Sequence, residues 1–391
     1  MTDTHKNLSL SDIINNVKNI LQKPIQLLKD FIDMFENRAF GPLYRKYFYQ
    51  EWPIVSSVGK EKDDNKLNTG FPDFSNIYYI ASFEKKNQVV LEGKVPDNIL
   101  FLSLTLYNNK GEAIYSIDDK NLYQDTEKTY RVEIKKNIIS YNKISDDIEE
   151  KLSETYCIIY RVYRTKKTLP IYPEYVPTIK IEGKDIIDVD NNSRMKDSNK
   201  LQDLVYKLSE SKFKGIYKTN TVDIDESLEN YFKKININEF FLPAKSQLSL
   251  VFPNHYSDHL LAFPKKSRVM KITGKLPEDI GMNQKIRYIG FMACNFITTA
   301  TDNCISYEDL KNKFSIYVSF TEEDAVKFGY KDTEDKLLLW NKENNVPVVV
   351  FRVLFEGKDV MFPSIDNTRH IYAGKELKKL NNKYYPNVEC F

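Results

Sequence analysis

Two segments of this chain, residues 71–97 and 252–278, repeat the same pattern without a gap, and this repeat restricts the possible folds strongly. The similarity continues more loosely downstream, where residues 101–108, 130–134 and 159–163 correspond to residues 288–295, 314–318 and 350–354. A duplicated domain is the simplest explanation, and it predicts two units of one fold. The identical positions are Phe71, Pro72, Ala81, Lys85, Gly93, Lys94 and Pro96 in the first copy, and Phe252, Pro253, Ala262, Lys266, Gly274, Lys275 and Pro277 in the second.

The first copy consists of short apolar runs separated by Asn, Asp, Gly and Lys, which is typical of strands joined by turns. Strands are predicted at residues 88–91, 100–107, 130–134 and 156–163. Residues 108–111, Asn-Asn-Lys-Gly, have the composition of a hairpin turn. Short strands at spacings near ten residues favour a sandwich or jelly roll over alternating β-α-β units.

The predicted fold is therefore mainly β, with tandem jelly-roll-like β-sandwiches from an internal duplication, an α-helical N-terminal segment and a helical connector. Ser11 and Asp12 are suited to cap the first helix, whose apolar positions share one face. Such amphipathic helices either pack on their own domain, which we favour, or bind a membrane or a partner. The predicted boundaries are 1–50 for the helical segment, 51–182 for the first sandwich, 183–240 for the linker and connector helices, 241–370 for the second sandwich and 371–391 for a C-terminal tail.

Composition excludes some classes of function. The chain has 57 Lys and Arg against 55 Asp and Glu, so its net charge of +2 gives no general attraction to nucleic acid. No stretch reaches the roughly 18 apolar residues of a membrane-spanning helix. The polar N-terminus lacks the apolar core of a secretion signal, which predicts synthesis in the cytoplasm.

The densest group of potential metal ligands is His255, Asp258 and His259. Two imidazoles and a carboxylate at this spacing could hold Zn²⁺ or a similar divalent ion. The first copy has the apolar or aromatic residues Phe74, Ile77 and Tyr78 at the corresponding positions, which favours a packing or surface role. The metal site is the alternative.

Cysteine usage leaves one question open. Cys294 and Cys304 flank a loop between two predicted strands, where opposed positions come within disulfide distance. In a reducing compartment they would stay thiols, whereas in an oxidising one they could pair. Cys157 lies in an apolar strand and is predicted to be a small core residue.

Arg161 and Arg352 occupy matching places in the two copies, each within an apolar strand. We expect each guanidinium to satisfy carbonyls or a carboxylate, because both copies would need it to fold; a catalytic pair is the alternative. The chain lacks the phosphate-binding Gly-rich loops and the His and Ser motifs of common enzymes. No catalytic residue and no cofactor are predicted.

The second unit resembles a bacterial domain of unknown function. Residues 268–277 (RVMKITGKLP), 286–295 (IRYIGFMACN), Cys304, 314–319 (FSIYVS), Trp340 and 348–354 follow the order of that family's motifs. The first unit looks like the distantly similar paired domains of unknown function numbered twelve-fifty-four and twelve-fourteen. This resemblance implies a double jelly roll and supplies no catalytic residues. The chain departs from the family at Ile289, where Trp is usual, and in lacking its secretion signal.

The leading hypothesis is a non-catalytic structural or interaction protein, with protein partners or self-association. The bias toward Lys, Asn and Ile is what an A·T-rich genome produces, which is the interpretation that we favour. Together with this fold, the same bias is similar to proteins of large DNA viruses, so association with a virion is a further hypothesis. One alternative is a metal-dependent enzyme that uses His255, Asp258 and His259. Another is a carbohydrate-binding module, since exposed aromatic faces stack on sugars. No nucleic-acid partner is expected.

Overall fold

The fold is mainly β. The computed structural model describes residues 54–56, 73–97, 99–108, 113–123, 126–148, 155–165, 177–181, 184–185, 240, 256–264, 269–282, 284–296, 300–344, 347–356 and 385–391. In these residues, the strands form four sheets that belong to two β-sandwiches. The predicted N-terminal helices, and all of the predicted connector except residues 184–185 and 240, lie outside the described part of the chain.

The first sandwich contains two sheets whose paired strands are antiparallel. Sheet A has the order β1-β2-β9-β4-β5, and sheet B has the order β11-β10-β3-β6-β7-β8. The strands are β1 Ile54–Ser56, β2 Asn76–Glu84, β3 Val89–Lys94, β4 Ile99–Tyr107, β5 Ala113–Asp118, β6 Thr129–Lys135, β7 Ile138–Tyr141, β8 Ile144–Asp147, β9 Thr155–Arg164, β10 Thr178–Ile181 and β11 Lys184–Asp185, with a short helix α1 at Asp119–Leu122.

The second sandwich contains sheet C, with the order β12-β18-β14-β15, and sheet D, with the order β17-β16-β13-β19. Only the β16–β17 pair is parallel among the described pairs of these two sheets. The strands are β12 Ser257–Ala262, β13 Val269–Lys275, β14 Ile286–Asn295, β15 Thr301–Ser306, β16 Lys313–Ser319, β17 Lys336–Leu339, β18 Pro347–Phe355 and β19 Asn387–Cys390, with a 3-10 helix at Tyr307–Asp309 and a short helix α2 at Glu322–Lys327.

The predicted strands of the first copy are confirmed as β3, β4, β6 and β9, and β4 and β5 are antiparallel neighbours as the hairpin prediction requires. The prediction of a tail over residues 371–391 needs a correction at its end. There β19 pairs with β13, while Tyr385 packs in the core of the second sandwich. Val388 and Cys390 alternate toward this core, a period-two pattern too short to be distinguished in the sequence.

Corresponding strands of the two sequence copies take corresponding places in the sheets. The order β2-β9-β4-β5 in sheet A matches β12-β18-β14-β15 in sheet C. The matching glycines Gly93 and Gly274 are required for the same steric reason. A Cβ on Gly93 would lie 2.7 Å from the Tyr130 hydroxyl, and a Cβ on Gly274 would lie 2.5 Å from Cζ of Phe314. Each glycine therefore makes room for the aromatic residue opposite it on the neighbouring strand.

The four sheets stack in the order B, A, C, D. One apolar core lies between sheets A and B, and another lies between sheets C and D. A third cluster joins the outer faces of sheets A and C, so both central sheets are covered on both sides. Every residue of β4 and of β18 is consequently buried, which explains their almost uninterrupted apolar sequences. Among the described residues, no helix has the length and hydropathy needed to cross a bilayer.

Candidate functional site

The most concentrated buried polar cluster lies where sheets A and C meet. Arg352 on β18 donates from Nη1 to Oδ2 of Asp73 at 2.9 Å, and the side chains are only 1% and 0% exposed. Asp73 is held in the turn before β2, where its Oδ1 accepts the Ser75 amide at 2.8 Å. Because Asp73 belongs to the first sandwich and Arg352 to the second, this ion pair crosses between the two bodies. We call it the inter-sandwich ion pair.

His259 adds a neutral acceptor to the same cluster. It lies opposite Arg352 in the β12–β18 register, and Nε of Arg352 donates to its Nε2 at 2.9 Å. Desolvation and the Arg352 guanidinium hold the pKa of His259 well below its ordinary value. An imidazole that accepts at Nε2 carries its proton on Nδ1. His259 therefore does not add charge beside the guanidinium.

Tyrosine rings surround the inter-sandwich ion pair. The guanidinium carbon of Arg352 lies 5.9 Å from the centre of the Tyr163 ring, and the Tyr163 ring lies 5.4 Å from that of Tyr288. Burial raises the pKa of the Asp73 carboxyl above its ordinary value, and the positive charge of Arg352 opposes this change. Burial raises the pKa of both tyrosines well above the ordinary value, so they stay neutral.

Arg161, the counterpart of Arg352 in the first copy, makes different contacts. Its Nη2 donates to the Tyr107 hydroxyl at 2.7 Å, and its guanidinium carbon lies 5.4 Å from the ring centres of both Tyr78 and Tyr107. Arg352 therefore has the expected carboxylate partner, Asp73. In the described contacts of Arg161, the hydroxyl of Tyr107 is the hydrogen-bond acceptor instead. Desolvation raises the pKa of Tyr107 to about 12.

A second polar contact joins the sandwiches at another point. Arg287, at the start of β14, donates from Nη1 to the backbone oxygen of Leu100 at 2.9 Å, and its Nη2 lies 3.5 Å from the Asp119 carboxylate. Lys120 forms an ion pair with Glu356 across the same boundary. The two sandwiches are thus connected by directional contacts as well as by apolar packing.

The predicted metal ligands are not all brought together in the described residues. Asp258 and His259 are consecutive on β12, and consecutive strand residues point to opposite faces of a sheet. His259 faces sheet A, where its Nε2 is occupied by Arg352. His255 lies outside the described residues, and within the described ranges no three His, Cys, Asp or Glu side chains form a metal-binding group. The metal site stays a prediction that depends on His255.

The two cysteines of the possible disulfide are free thiols and do not face each other. Cys304 lies opposite Met292, and Cys294 lies opposite Thr301, because the β14–β15 register shifts between residues 293 and 294. Cys304 instead accepts the Phe74 amide at 3.1 Å. Burial raises the pKa of both thiols, which disfavours thiolate formation. Cys157 is a buried core residue, as predicted.

Sequence reasoning missed Asp73. The partner of Asp73 is 279 residues away, a separation over which no local pattern carries information. One signal was available, since Asp73 lies inside the repeated segment and corresponds to Asn254 in the second copy. A charge present in only one copy indicates an interaction that the copies do not share. Asn254 itself lies outside the described residues.

Comparison with known proteins adds a fold and no activity. No family model and no curated protein matches this chain. The chain is similar to an uncharacterized protein from Burkholderia cenocepacia of known structure, with 11% identity and a TM-score of 0.50, over 90% of this chain and 85% of that one. A protein from Vibrio parahaemolyticus has 7% identity and a TM-score of 0.41, over 92% of this chain and 98% of that one. At such identity the first similarity concerns the fold alone. The similarity to the Burkholderia cenocepacia protein therefore supports a mainly β architecture and assigns no chemistry to it.

Proposed function

We propose that this chain is a non-catalytic structural or interaction protein, built from two jelly-roll-like sandwiches that arose by internal duplication. The duplication is supported by the matching strand orders of sheets A and C. The pairs Tyr78–Arg161 and His259–Arg352 support it further, because they lie opposite each other at equivalent positions of the two sheets.

The single observation that carries the proposal is where the reactive side chains lie. Asp73, Arg352, Cys294 and Cys304 are buried between sheets A and C, and His259 is bonded to Arg352 at the same boundary. A solute could reach the four buried groups only if the sandwiches separated. We infer that the inter-sandwich ion pair fixes the relative orientation of the two sandwiches, which is a structural role.

Association with the virion of a large DNA virus stays a prediction that rests on composition and on the resemblance described above. Binding of a metal by His255, Asp258 and His259, and binding of glycans, likewise stay predictions. A protein of the proposed kind needs an exposed surface for a partner, and that surface must lie outside the cluster between sheets A and C.

The test is a turnover screen on the full chain. Purified protein is incubated with chromogenic phosphoesters, carboxyl esters, glycosides and peptides, with and without added Zn²⁺ or Mg²⁺. We expect product formation equal to the buffer background in every case. Turnover that His259→Gln or Asp73→Asn abolishes, with an unchanged far-ultraviolet circular dichroism spectrum, would overturn the proposal.

A further inference from the structure

The outer side of the second sandwich carries an exposed apolar patch. Six large apolar side chains are strongly exposed in the described residues, and three of them belong to this region: Val326, Phe328 and Phe391. The Phe328 and Phe391 rings stack with their centres 5.3 Å apart and their planes at 17°. Val326 precedes Phe328 by two residues, at the end of α2, whose Ala325 faces sheet D. We call the stacked pair Phe328 and Phe391 the outer apolar patch. Val326 is a separate exposed residue on α2.

The packing of α2 explains why the patch faces outward. Ala325 is buried against Val269 and Tyr317 of sheet D, so the neighbouring Val326 is turned away from the sheet and is 54% exposed. Gly329, with φ of 98°, then reverses the chain immediately after Phe328. This turn leaves Phe328 without a place in the core, and Phe391 at the other side is its aromatic neighbour.

The chain segment that contains Phe328 is predominantly acidic. Residues 321–335 contain six carboxylates and two lysines, which gives a net charge of −4 in a chain whose total is +2. The lysines are already engaged locally, since Lys327 pairs with Asp324 at 3.3 Å and Lys331 pairs with Glu334 at 3.7 Å. Glu322 and Glu323 are exposed in the first turn of α2, the helix whose C-cap residue is Phe328. Lys271 adds a cation over the Tyr317 ring on the same outer face, where Asp335 and Glu389 interact with it. Carboxylates therefore remain in excess in this region, which favours a partner of the opposite sign.

We propose that the outer apolar patch binds a peptide segment of a partner protein in which apolar side chains are flanked by Lys or Arg. This inference rests on the proposed interaction function and names its partner class. A second copy of this chain meeting the same patch would bring two acidic segments together, which disfavours self-association here. The apolar side chains of the peptide would pack on Phe328 and Phe391, while its cations would face Glu322 and Glu323.

The probe for the test is a fluorescein-labelled peptide of about 18 residues that places Leu on one helical face and Lys on the other. A second peptide replaces every Lys with Glu, and a third replaces every Leu with Ser. We call the first of these the Lys/Leu peptide and the second the Glu/Leu peptide. Fluorescence anisotropy with the full chain should detect binding of the Lys/Leu peptide and no binding of the other two peptides. Its Kd should rise with NaCl concentration, because salt screens exposed charges.

Protein variants locate the binding surface. Phe328→Ser should weaken binding of the Lys/Leu peptide at least tenfold, and Glu322→Gln with Glu323→Gln should weaken it several-fold and reduce its salt dependence. The matched control is Ile138→Ser on β7 of sheet B, because Ile138 and Phe328 are both 43% exposed. This control should leave the Kd unchanged. The Glu variants are surface changes that keep the test valid if Phe328→Ser lowers the melting temperature.

The inference is overturned if Phe328→Ser and the Glu variants bind as tightly as the unaltered protein, or if the Glu/Leu peptide binds equally well. It is also overturned if the Lys/Leu peptide does not bind at about 100 µM, a Kd whose free energy lies between about −4 kcal/mol for 1 mM and about −8 kcal/mol for 1 µM. These outcomes are separate from the turnover screen. An enzyme could still possess this patch, and a protein without turnover could still lack affinity for basic peptides.

Discussion

Arg352 and Asp73 form an ion pair of 2.9 Å across the boundary between two sandwiches, although 279 residues separate them in the chain. The pair is almost completely shielded from water, and each partner has further support. His259 accepts from the same guanidinium, while the Ser75 amide donates to the same carboxylate. In such a setting, loss of one partner leaves an uncompensated buried charge, whereas loss of a surface pair costs little. This difference makes the cluster a sensitive point for mutation.

Substitution Arg352→Met should lower the free energy of unfolding by about 3–5 kcal/mol, because Asp73 would remain buried without its cation. Arg131→Met is the control, since Arg131 is half exposed and pairs with Glu92 on the surface of sheet B. That change should stay within about 1 kcal/mol. Urea unfolding followed by circular dichroism measures both. Equal losses in the two variants would contradict a special role for the inter-sandwich ion pair.

The stability of the protein should fall as the pH drops below about 6.5, the ordinary pKa of histidine. In this range His259 binds a proton in the unfolded chain, whereas the folded state keeps the imidazole neutral because its pKa is lowered. The slope assigned to this group is about 1.4 kcal/mol per pH unit, down to the depressed pKa of the folded state. His259→Gln keeps an acceptor for Arg352 and cannot titrate. The difference in unfolding free energy between the two proteins isolates His259, because the other three histidines are common to both. A difference that does not change with pH would show that His259 titrates normally.

Gly290 on β14 lies opposite Arg352, and a Cβ there would lie 2.5 Å from the Tyr288 hydroxyl and 2.8 Å from Cε1 of its ring. Tyr288 is held between sheets A and C and cannot move aside without disturbing the cluster. Gly290→Ala should therefore cost about 1–3 kcal/mol, the usual range for overpacking. Gly274→Ala is the comparison, because the Phe314 ring that its Cβ would meet is half-buried, whereas Tyr288 is fully buried. Thermal unfolding should rank Gly290→Ala as the more damaging change, and the reverse order would refute this reasoning.

Only one of the four cysteines should react with Ellman's reagent while the chain is folded. Cys390 is partly exposed, whereas Cys157, Cys294 and Cys304 are buried. Burial raises the pKa of the Cys157 thiol to about 12, and a protonated thiol is a poor nucleophile. Cys390→Ser should abolish the fast reaction, and urea should expose the remaining three thiols. Two thiols missing after unfolding would instead indicate a disulfide.

A structural zinc site would bind its ion tightly enough to keep it during purification. Because the described residues form no such site, we expect the purified protein to contain less than about 0.2 zinc ions per chain. Asp258 and His259 point to opposite faces of sheet C, and Nε2 of His259 is occupied by Arg352. Inductively coupled plasma mass spectrometry measures the content directly. Near-stoichiometric zinc that is lost in His255→Ala would restore the metal-dependent alternative.

The sequence was informative where the chain interacts with its neighbours locally. Short apolar runs located β3, β4, β6 and β9, and the repeated glycines are now explained by the aromatic residues across from Gly93 and Gly274. It was uninformative where distant parts of the chain meet. Nothing near Asp73 indicates Arg352, and a fifteen-residue window cannot show that β4 is covered on both faces by different sheets.

In the candidate site, too, the sequence predicts local features and does not predict contacts between distant residues. His255, Asp258 and His259 are close in sequence, yet strand geometry separates the side chains of the last two, which spacing alone does not reveal. The spacing of Cys294 and Cys304 is compatible with opposed positions of a hairpin, but a single register shift next to Cys294 places Thr301 opposite it. The matching arginines were recognised, but their different partners follow from Asp73 on one side and Tyr107 on the other.

Because sheets A and C are buried on both faces, expression of the two sandwiches as separate fragments has a practical consequence. Each sandwich, produced separately, would expose a large apolar surface to solvent. This surface includes Phe101 and Tyr163 in the first sandwich and Tyr288 and Leu354 in the second. Such fragments should precipitate, or should recombine when they are mixed. Screening of soluble fragments would therefore do better by trimming the ends than by cutting the chain in the middle.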